Sequence, residues 1–298
     1  MPELPEVHAL ARDLRERLVG RTVERLDVVA ISALKTFDPP PSALVGHVVR
    51  DVTHHGKFLD IVVSEAAVGD LHVVLHLARA GWVRWRDEAP PGPARRSKGP
   101  LAARLVLSAR PDDGSAPAAL DITEAGTTKR LALYVVRDPA DVPGIARLGP
   151  DPLAEDFTVE RLREILAGAG RARIKGVLRD QSVLAGIGNA YSDEILHAAR
   201  MSPFKPAAMD AGDSARLFDA IRTTLRDAID RSEGLAAADL KKEKKSALRV
   251  HGRTGLACPV CGDTVRQVVY ADSSFQYCPT CQTGGKPLAD RALSRLLK

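Results

Sequence analysis

Apolar residues recur at Val7, Leu10, Ala11, Leu14 and Leu18, the spacing of one buried helix face, and Gly20 stands where such a helix would end. The period then changes. Residues 22–23, 48–49, 58–63 and 72–77 are short β-branched and apolar runs separated by Gly, Pro and Asp, and the pattern resumes at 101–108, 120–123 and 131–136. Many short strands of this kind predict a sandwich or barrel. Residues 87–100, with Pro90-Pro91-Gly92-Pro93, read as a loop, and 148–153 as a linker between domains. Beyond it the helical period returns. Thr158 is placed to cap a helix reaching about Ala167, a second covers 174–181, and a long one runs from about Ser214 to Arg231. Between them, Gly186-Ile187-Gly188-Asn189 forms a tight turn in which Asn189 is expected to cap the next helix. Such a turn is either a plain helical hairpin or a place where exposed backbone N–H groups receive a phosphate.

The length of 298 residues suits two domains, or one and a small module, and 45% hydrophobic residues can build a core. No run of about 18 apolar residues is present, so no membrane span is expected. The N-terminus begins with acids and lacks an apolar segment, which points away from a signal peptide and toward the cytoplasm. Lys plus Arg exceed Asp plus Glu by 43 to 38, a surplus that supports nucleic-acid binding only weakly. Its distribution says more: Lys241-Lys242-Glu243-Lys244-Lys245 with Arg249, His251 and Arg253 makes a basic strip.

That strip leads into Cys258-x2-Cys261-x16-Cys278-x2-Cys281, which uses every cysteine in the chain. Two such pairs supply the four corners of a tetrahedron, so one structural Zn2+ is expected, with no open position for water and a clamped β-hairpin between the pairs. At the other end stands Met1-Pro2-Glu3-Leu4-Pro5-Glu6-Val7. Taken alone it is an ordinary helix entry, with acids at the positive end of the dipole. The alternative is covalent chemistry. With Met1 removed, Pro2 is a secondary amine with an uncharged fraction near neutral pH, able to attack an aldehyde-like carbon, and Glu3 and Glu6 lie within a helical turn to move protons. Lys57, after Gly56 at a strand entry, is either solvated or holds a phosphate or sugar near Pro2.

Together these parts resemble the formamidopyrimidine-DNA glycosylase and endonuclease VIII family. The resemblance covers nearly the whole chain and rests on Pro-Glu-Leu-Pro-Glu at 2–6, Gly56-Lys57-Phe58-Leu59, Leu148-Gly149-Pro150, Ile174-Lys175, Gly186–Tyr191, His251-Gly252-Arg253 and Cys278-Pro279-Thr280-Cys281-Gln282, in the family's order. It implies an α+β protein: an N-terminal β-sandwich domain (1–147), a helix–two-turn–helix domain (148–249) and a zinc finger (250–298). It further implies that double-stranded damaged DNA is the partner, bound by a monomer, that Pro2 attacks the sugar, that Glu3 is the general acid/base and that Lys57 assists. Glu6 and Glu194 match supporting acids, and Lys57, Lys175 and Asn189 match positions that hold the DNA backbone.

Three segments depart from the family. His-Leu-Gly-Met reads here as His76-Leu77-Ala78-Arg79, Asp-Pro-Arg-Arg-Phe-Gly as Thr127-Thr128-Lys129-Arg130-Leu131-Ala132, and the finger arginine is replaced by Ser273. Arg79, Lys129, Arg130 and Arg253 are candidate DNA contacts; the lost arginine either leaves a phosphate contact unmade or is offset by Arg79, Lys129 or Arg130. Three functions follow: a bifunctional glycosylase and lyase, an abasic-site lyase or unusual-lesion enzyme, and a non-catalytic damaged-DNA binder. Intact Pro2, Glu3 and Lys57 favour the enzymes.

Overall fold

A computed structural model describes residues 1–65, 69–95, 99–110, 114–269 and 274–288. The chain forms two compact units: Met1–Arg147 joined by Ser232–Leu240, and Leu148–Arg231 joined by the chain from Lys241 onward.

The first unit opens with helix α1 (Leu4–Leu18), followed by strands β1 (Val23–Val28), β2 (Val48–His55), β3 (Phe58–Glu65), β4 (Gly69–His76), β5 (Gly81–Arg86), β6 (Leu101–Leu107), β7 (Ala118–Glu124) and β8 (Ala132–Val136). They pair antiparallel into two four-stranded sheets, ordered β1-β6-β7-β5 and β2-β3-β4-β8. Leu59, Ile61 and Val63 of β3 share one core with Val83, Leu105, Leu120 and Ile122 of the other sheet, which makes the unit a sandwich. Val7, Leu10, Leu14 and Leu18 of α1 bury in the same core, each at 1% exposure or less. Removing one such leucine side chain costs about 2–5 kcal/mol, so the helix is firmly seated. The helix starts three residues earlier than its apolar period suggests, because the Glu6 carboxylate accepts the backbone N–H of Glu3 (2.9 Å) and closes the first turn.

The outer face of β2-β3-β4-β8 is covered as well. Val74 and Val136 pack with Val142, and Gly144 lies so close to Phe58 that a Cβ there would sit 2.5 Å from the ring. Asp60, 1% exposed, accepts from His55 and His72, each at 3.0 Å. The Ser232–Leu240 segment also belongs to this unit: Ala237 and Leu240 enter the core, and Trp82 Nε1 donates to the Ala237 carbonyl (3.1 Å).

The second unit holds α2 (Val159–Ala169), α3 (Ile174–Arg179), α4 (Asn189–Ala198), α5 (Ala211–Ser232), α6 (Leu240–Ala247), the hairpin strands β9 (Arg266–Val269) and β10 (Ser274–Tyr277), and α7 (Pro279–Thr283). Leu162, Leu178, Ile187, Ile195, Leu217 and Ile221 centre its helical core. Thr158 caps α2 through its hydroxyl, which accepts the Arg161 N–H at 3.2 Å. The basic strip forms α6, and part of its charge is engaged within the protein: Lys244 Nζ lies 4.5 Å from the centre of the Tyr191 ring. Among the described residues, no helix is long and apolar enough to cross a membrane. The architecture is the α+β arrangement expected from the sequence: β-sheets, then helices, then a cysteine-bearing hairpin.

Burial pulls His54 and His76 down to about 4; the neighbouring His8 and His55 add to the effect at His54, and Lys57 at His76. Both rings are therefore neutral in the folded protein while the unfolded chain takes up protons below about pH 6.5. Their stabilisation is complete above that pH and is lost as pH falls toward 4. Urea unfolding at pH 7, 5.5 and 4.5 should show this loss, and His54→Phe should reduce the slope by up to about 1.4 kcal/mol per pH unit. An unchanged slope would show that His54 does not titrate between the two states.

Candidate active site and metal centre

Pro2 and Glu3 lie immediately before α1, and both are buried, while Met1 is exposed. Glu3 is the N-cap residue, with extended backbone, and Glu6 is 2% exposed beside it. Two carboxylates are thus held at the positive end of a helix dipole, where negative charge is favoured. The helix packs on β2, the strand that leads into the turn bearing Lys57. His8 Nδ1 and His54 Nε2 meet at 3.1 Å and tie helix to strand. Lys57 follows Gly56, whose φ of +54° allows the tight β2–β3 connection, and Lys57 itself is only 7% exposed. Once Met1 is removed, this framework presents a secondary amine and two carboxylates on one rigid helix start. Sequence reasoning found Pro2, Glu3, Glu6 and Lys57 but missed the His8–His54 tie, since its members are 46 residues apart.

Two exposed loops of the same unit carry Arg79, Lys129 and Arg130. Arg79 stands in the β4–β5 turn after Ala78, which has φ +51°, and Gly81 is required there because a Cβ would meet the Leu77 carbonyl oxygen at 2.2 Å. Buried Glu124 accepts the backbone N–H groups of Arg130 (2.7 Å) and Leu131 (2.9 Å) and so shapes the second loop. The loops touch: Ala125 N–H donates to the Ala80 carbonyl at 3.2 Å. The three cations, separated in sequence, therefore sit on adjoining loops.

In the second unit the candidate residues gather around α4. Asp193, fully buried, accepts from Lys175 Nζ (2.6 Å), His251 Nδ1 (2.7 Å) and the Gln276 N–H (3.2 Å). Lys175 also donates to the Ser192 hydroxyl (2.7 Å) and the Asn189 carbonyl (3.2 Å). Its ammonium is thus held in an internal network at the start of α4. Asn189 does not cap α4 as expected; Gly188 occupies the cap position, and the Asn189 amide instead donates to the Ser274 carbonyl of the hairpin at 2.8 Å. The first turn of α4 is thereby committed to the finger. Glu194 accepts three backbone N–H groups, from Arg249 (2.8 Å), Val250 (2.9 Å) and His251 (2.8 Å), although burial pushes its carboxyl upward. Arg253 is weakly held, with Nη2 3.5 Å from the Ala257 carbonyl. Asp193 is the residue that sequence reasoning missed, since its partners lie 18, 58 and 83 positions away.

The thiols of Cys258, Cys261, Cys278 and Cys281 lie within 4.8 Å of one another. Cys258 and Cys281 are 3.9 Å apart and Cys261 and Cys278 3.3 Å, near the roughly 3.8 Å edge of a tetrahedron with metal–sulfur bonds of about 2.3 Å. All four are free cysteines. Burial pushes the Cys278 thiol up to about 11 and Cys281 further, while the Asp263 backbone N–H holds Cys261 down, so a cation is what would hold Cys278 and Cys281 as thiolates. The donor set therefore fits a tetrahedral metal. His197 of α4, 3% exposed, places Nε2 3.3 Å from Cys258 Sγ. The hairpin tip, with Asp272 and Ser273, lies outside the described residues.

One unit is thus a sandwich that buries Pro2 and Glu3 at the start of its first helix, and the other a helical body whose glycine turn is tied to a cysteine-bearing hairpin. Comparison with known proteins is specific. Residues 1–125 match the formamidopyrimidine-DNA glycosylase N-terminal domain and residues 148–239 the formamidopyrimidine-DNA glycosylase H2TH domain. A formamidopyrimidine-DNA glycosylase of Heliobacterium modesticaldum is 34% identical over 294 residues, covering 95% of this chain and 100% of that protein. An uncharacterized formamidopyrimidine-DNA glycosylase-like protein of Mycobacterium tuberculosis is 59% identical over 160 residues, 53% of this chain and 99% of its own length. The crystal structure of MutM (Fpg) from Thermus thermophilus superposes with a TM-score of 0.76 at 30% identity, covering 96% of this chain and 100% of that one. The Lactococcus lactis Fpg in complex with DNA containing an abasic site gives 0.79 at 25% identity, over 94% and 99% of the two chains. The chain belongs to the formamidopyrimidine-DNA glycosylase family, whose members are DNA glycosylases of base-excision repair.

His197 generates a direct test. A ring N–H beside a metal-bound thiolate orients it, and losing such a partner typically costs about 10–100-fold in metal affinity. His197→Phe should weaken Co2+ binding by about that factor, read from the thiolate-to-metal absorption band under chelator competition. His197→Gln, which keeps an N–H donor, should recover part of the loss. Equal affinity in all three proteins would mean that the contact is packing alone.

Proposed function

We propose that this protein is a bifunctional DNA glycosylase that removes oxidised bases from double-stranded DNA and cleaves the resulting abasic site through an iminium formed by Pro2. The observation that carries this proposal is the burial of Pro2 and Glu3 at the start of a helix anchored in the sandwich core. The damaged nucleotide must leave the stack to be reached. The Pro2 nitrogen bonds to the sugar carbon C1′ and gives up its proton while the base leaves with the C1′–N bonding pair and takes up a proton; the C1′–O4′ bond then opens, Glu3 protonates O4′, and the nitrogen lone pair completes the iminium. Loss of a proton from C2′ lets the 3′ phosphate leave with the C–O bonding pair, and hydrolysis of the iminium frees Pro2. Lys57 assists at the phosphate or sugar. Lys175, Asn189, Arg253, Arg79, Lys129 and Arg130 act on the DNA backbone, with Glu6 and Glu194 in support.

The four cysteines would hold one Zn2+, whose work is to clamp the hairpin. The enzyme is proposed to act as a monomer in the cytoplasm. A specialist for an unusual lesion is the second reading, favoured by the exposed Arg79 at the tip of the β4–β5 turn, where the family resemblance places a methionine wedge.

Borohydride trapping tests both. Mature protein should form a covalent adduct with abasic duplex, and protein with Met1 retained or its amine blocked should form none. Glu3→Gln should slow base excision about 10²–10⁴-fold while sparing lyase action on a preformed abasic site. An adduct with a blocked N-terminus would remove Pro2 from the mechanism. Trapping on abasic DNA with no excision from any duplex carrying a common oxidised base would select the specialist.

A further inference from the structure

We infer that the second unit carries an oxyanion pocket at the C-terminal end of α4, shaped for a phosphate group and separate from the residues assigned above. Helix α4 ends in a paired closure, with Arg200 N–H donating to the His197 carbonyl (3.1 Å) and Met201 N–H to the Leu196 carbonyl (2.9 Å). This closure puts Arg200 at φ +53°. Glycine fills such a position at least cost, because a side chain crowds the following carbonyl there. An arginine held in that conformation calls for a reason beyond the fold. Its side chain is exposed and, among the described residues, has no hydrogen bond or ion pair.

Arg200 borders an open cavity of about 370 Å³ that Lys205 and Arg216 also line, with Ser202, Phe204 and Met201. Both other cations are fixed in place. Lys205 Nζ lies 2.7 Å from Asp213, and Arg216 pairs with the same carboxylate while its Nε donates to the Ala199 carbonyl at 2.9 Å. The Lys205 contact above all holds the Asp213 carboxyl below its ordinary range, so it stays charged. Three cations against this one carboxylate leave a surplus of two positive charges, the match for a phosphate. Guanidinium forks and an ammonium suit its oxygens. The ring of Phe204, backed by the Arg173 guanidinium 4.2 Å from its centre, forms a firm apolar wall.

The phosphate comes from one of two sources: a small phosphorylated molecule in solution, or the backbone of DNA. The second rests on the proposed DNA binding and the first does not. In the full-length protein, 10 mM inorganic phosphate should raise the melting temperature by about 2–4 °C over chloride of equal ionic strength if it is bound with a millimolar Kd. Arg200→Gly should abolish that rise. In chloride it should melt no lower than the parent, since glycine suits the turn. Arg200→Lys should keep part of the response. Should Arg200→Gly melt lower in chloride, Lys205→Gln, which leaves the α4 turn intact, takes its place. If the occupant is DNA, the same substitution should lower the salt dependence of duplex binding by roughly one unit of slope, with borohydride trapping retained. A response in either arm that is lost in the variant supports the pocket and names its source. No response in the parent in either arm, or the same response in the variant, overturns it.

Discussion

Asp193 has no access to solvent, and the second unit is arranged around that fact. A buried carboxylate without partners would be prohibitively unfavourable, so everything next to it must donate. Lys175 arrives from α3, His251 from the segment after α6, and the Gln276 N–H from the hairpin. One side chain thus joins the helical turn to the cysteine-bearing finger. Glu194, the next residue, does the same for the backbone of residues 249–251. His197, one turn further along α4, reaches Cys258. Asn189 completes the row by holding Ser274. Helix α4 is therefore the spine on which the finger is mounted, and the four thiols are coupled to the glycine turn through one rigid element.

The first unit follows the same rule with different groups. Asp60 is satisfied by His55 and His72, Asp121 by Arg104 and Arg86, and Glu124 by backbone N–H groups of the following loop. These fixed carboxylates stiffen the strands and loops around the helix that carries Pro2. Under the covalent mechanism proposed for Pro2 that stiffness would matter, because small misplacement of a nucleophile costs rate steeply. Within the segments that depart from the family, Arg79 and the Lys129-Arg130 pair occupy two touching, exposed turns.

The chain's local chemistry was legible because it is local. The 3.6 period of α1, the β-branched runs of the sandwich and the capping role of Thr158 each depend on residues a few positions apart. The paired cysteines show their tetrahedron by spacing alone, and the structure brings their thiols within 4.8 Å. The proline–glutamate start stood out by its residue types, although by itself it was equally a helix entry. Strand β5 lies in the strand-rich stretch 22–86 without being singled out there, although Val83-Arg84-Trp85-Arg86 alternates; pairing with β7 sets its bounds.

What only the tertiary structure decided are the partners of buried polar groups. Asn189 looked like a helix cap, but a hairpin carbonyl 85 residues away takes its amide and Gly188 assumes the cap. Nothing near Lys175 in the sequence named its partner, and the fold brings the Asp193 carboxylate to its ammonium at 2.6 Å. The Ser232–Leu240 segment carries only a modest apolar signal, and its place in the first unit's core follows from a groove that strands far away in sequence create. Propensity and spacing act over one or two turns of chain, whereas the satisfaction of a buried charge is settled by whichever group the completed fold brings within about 3 Å.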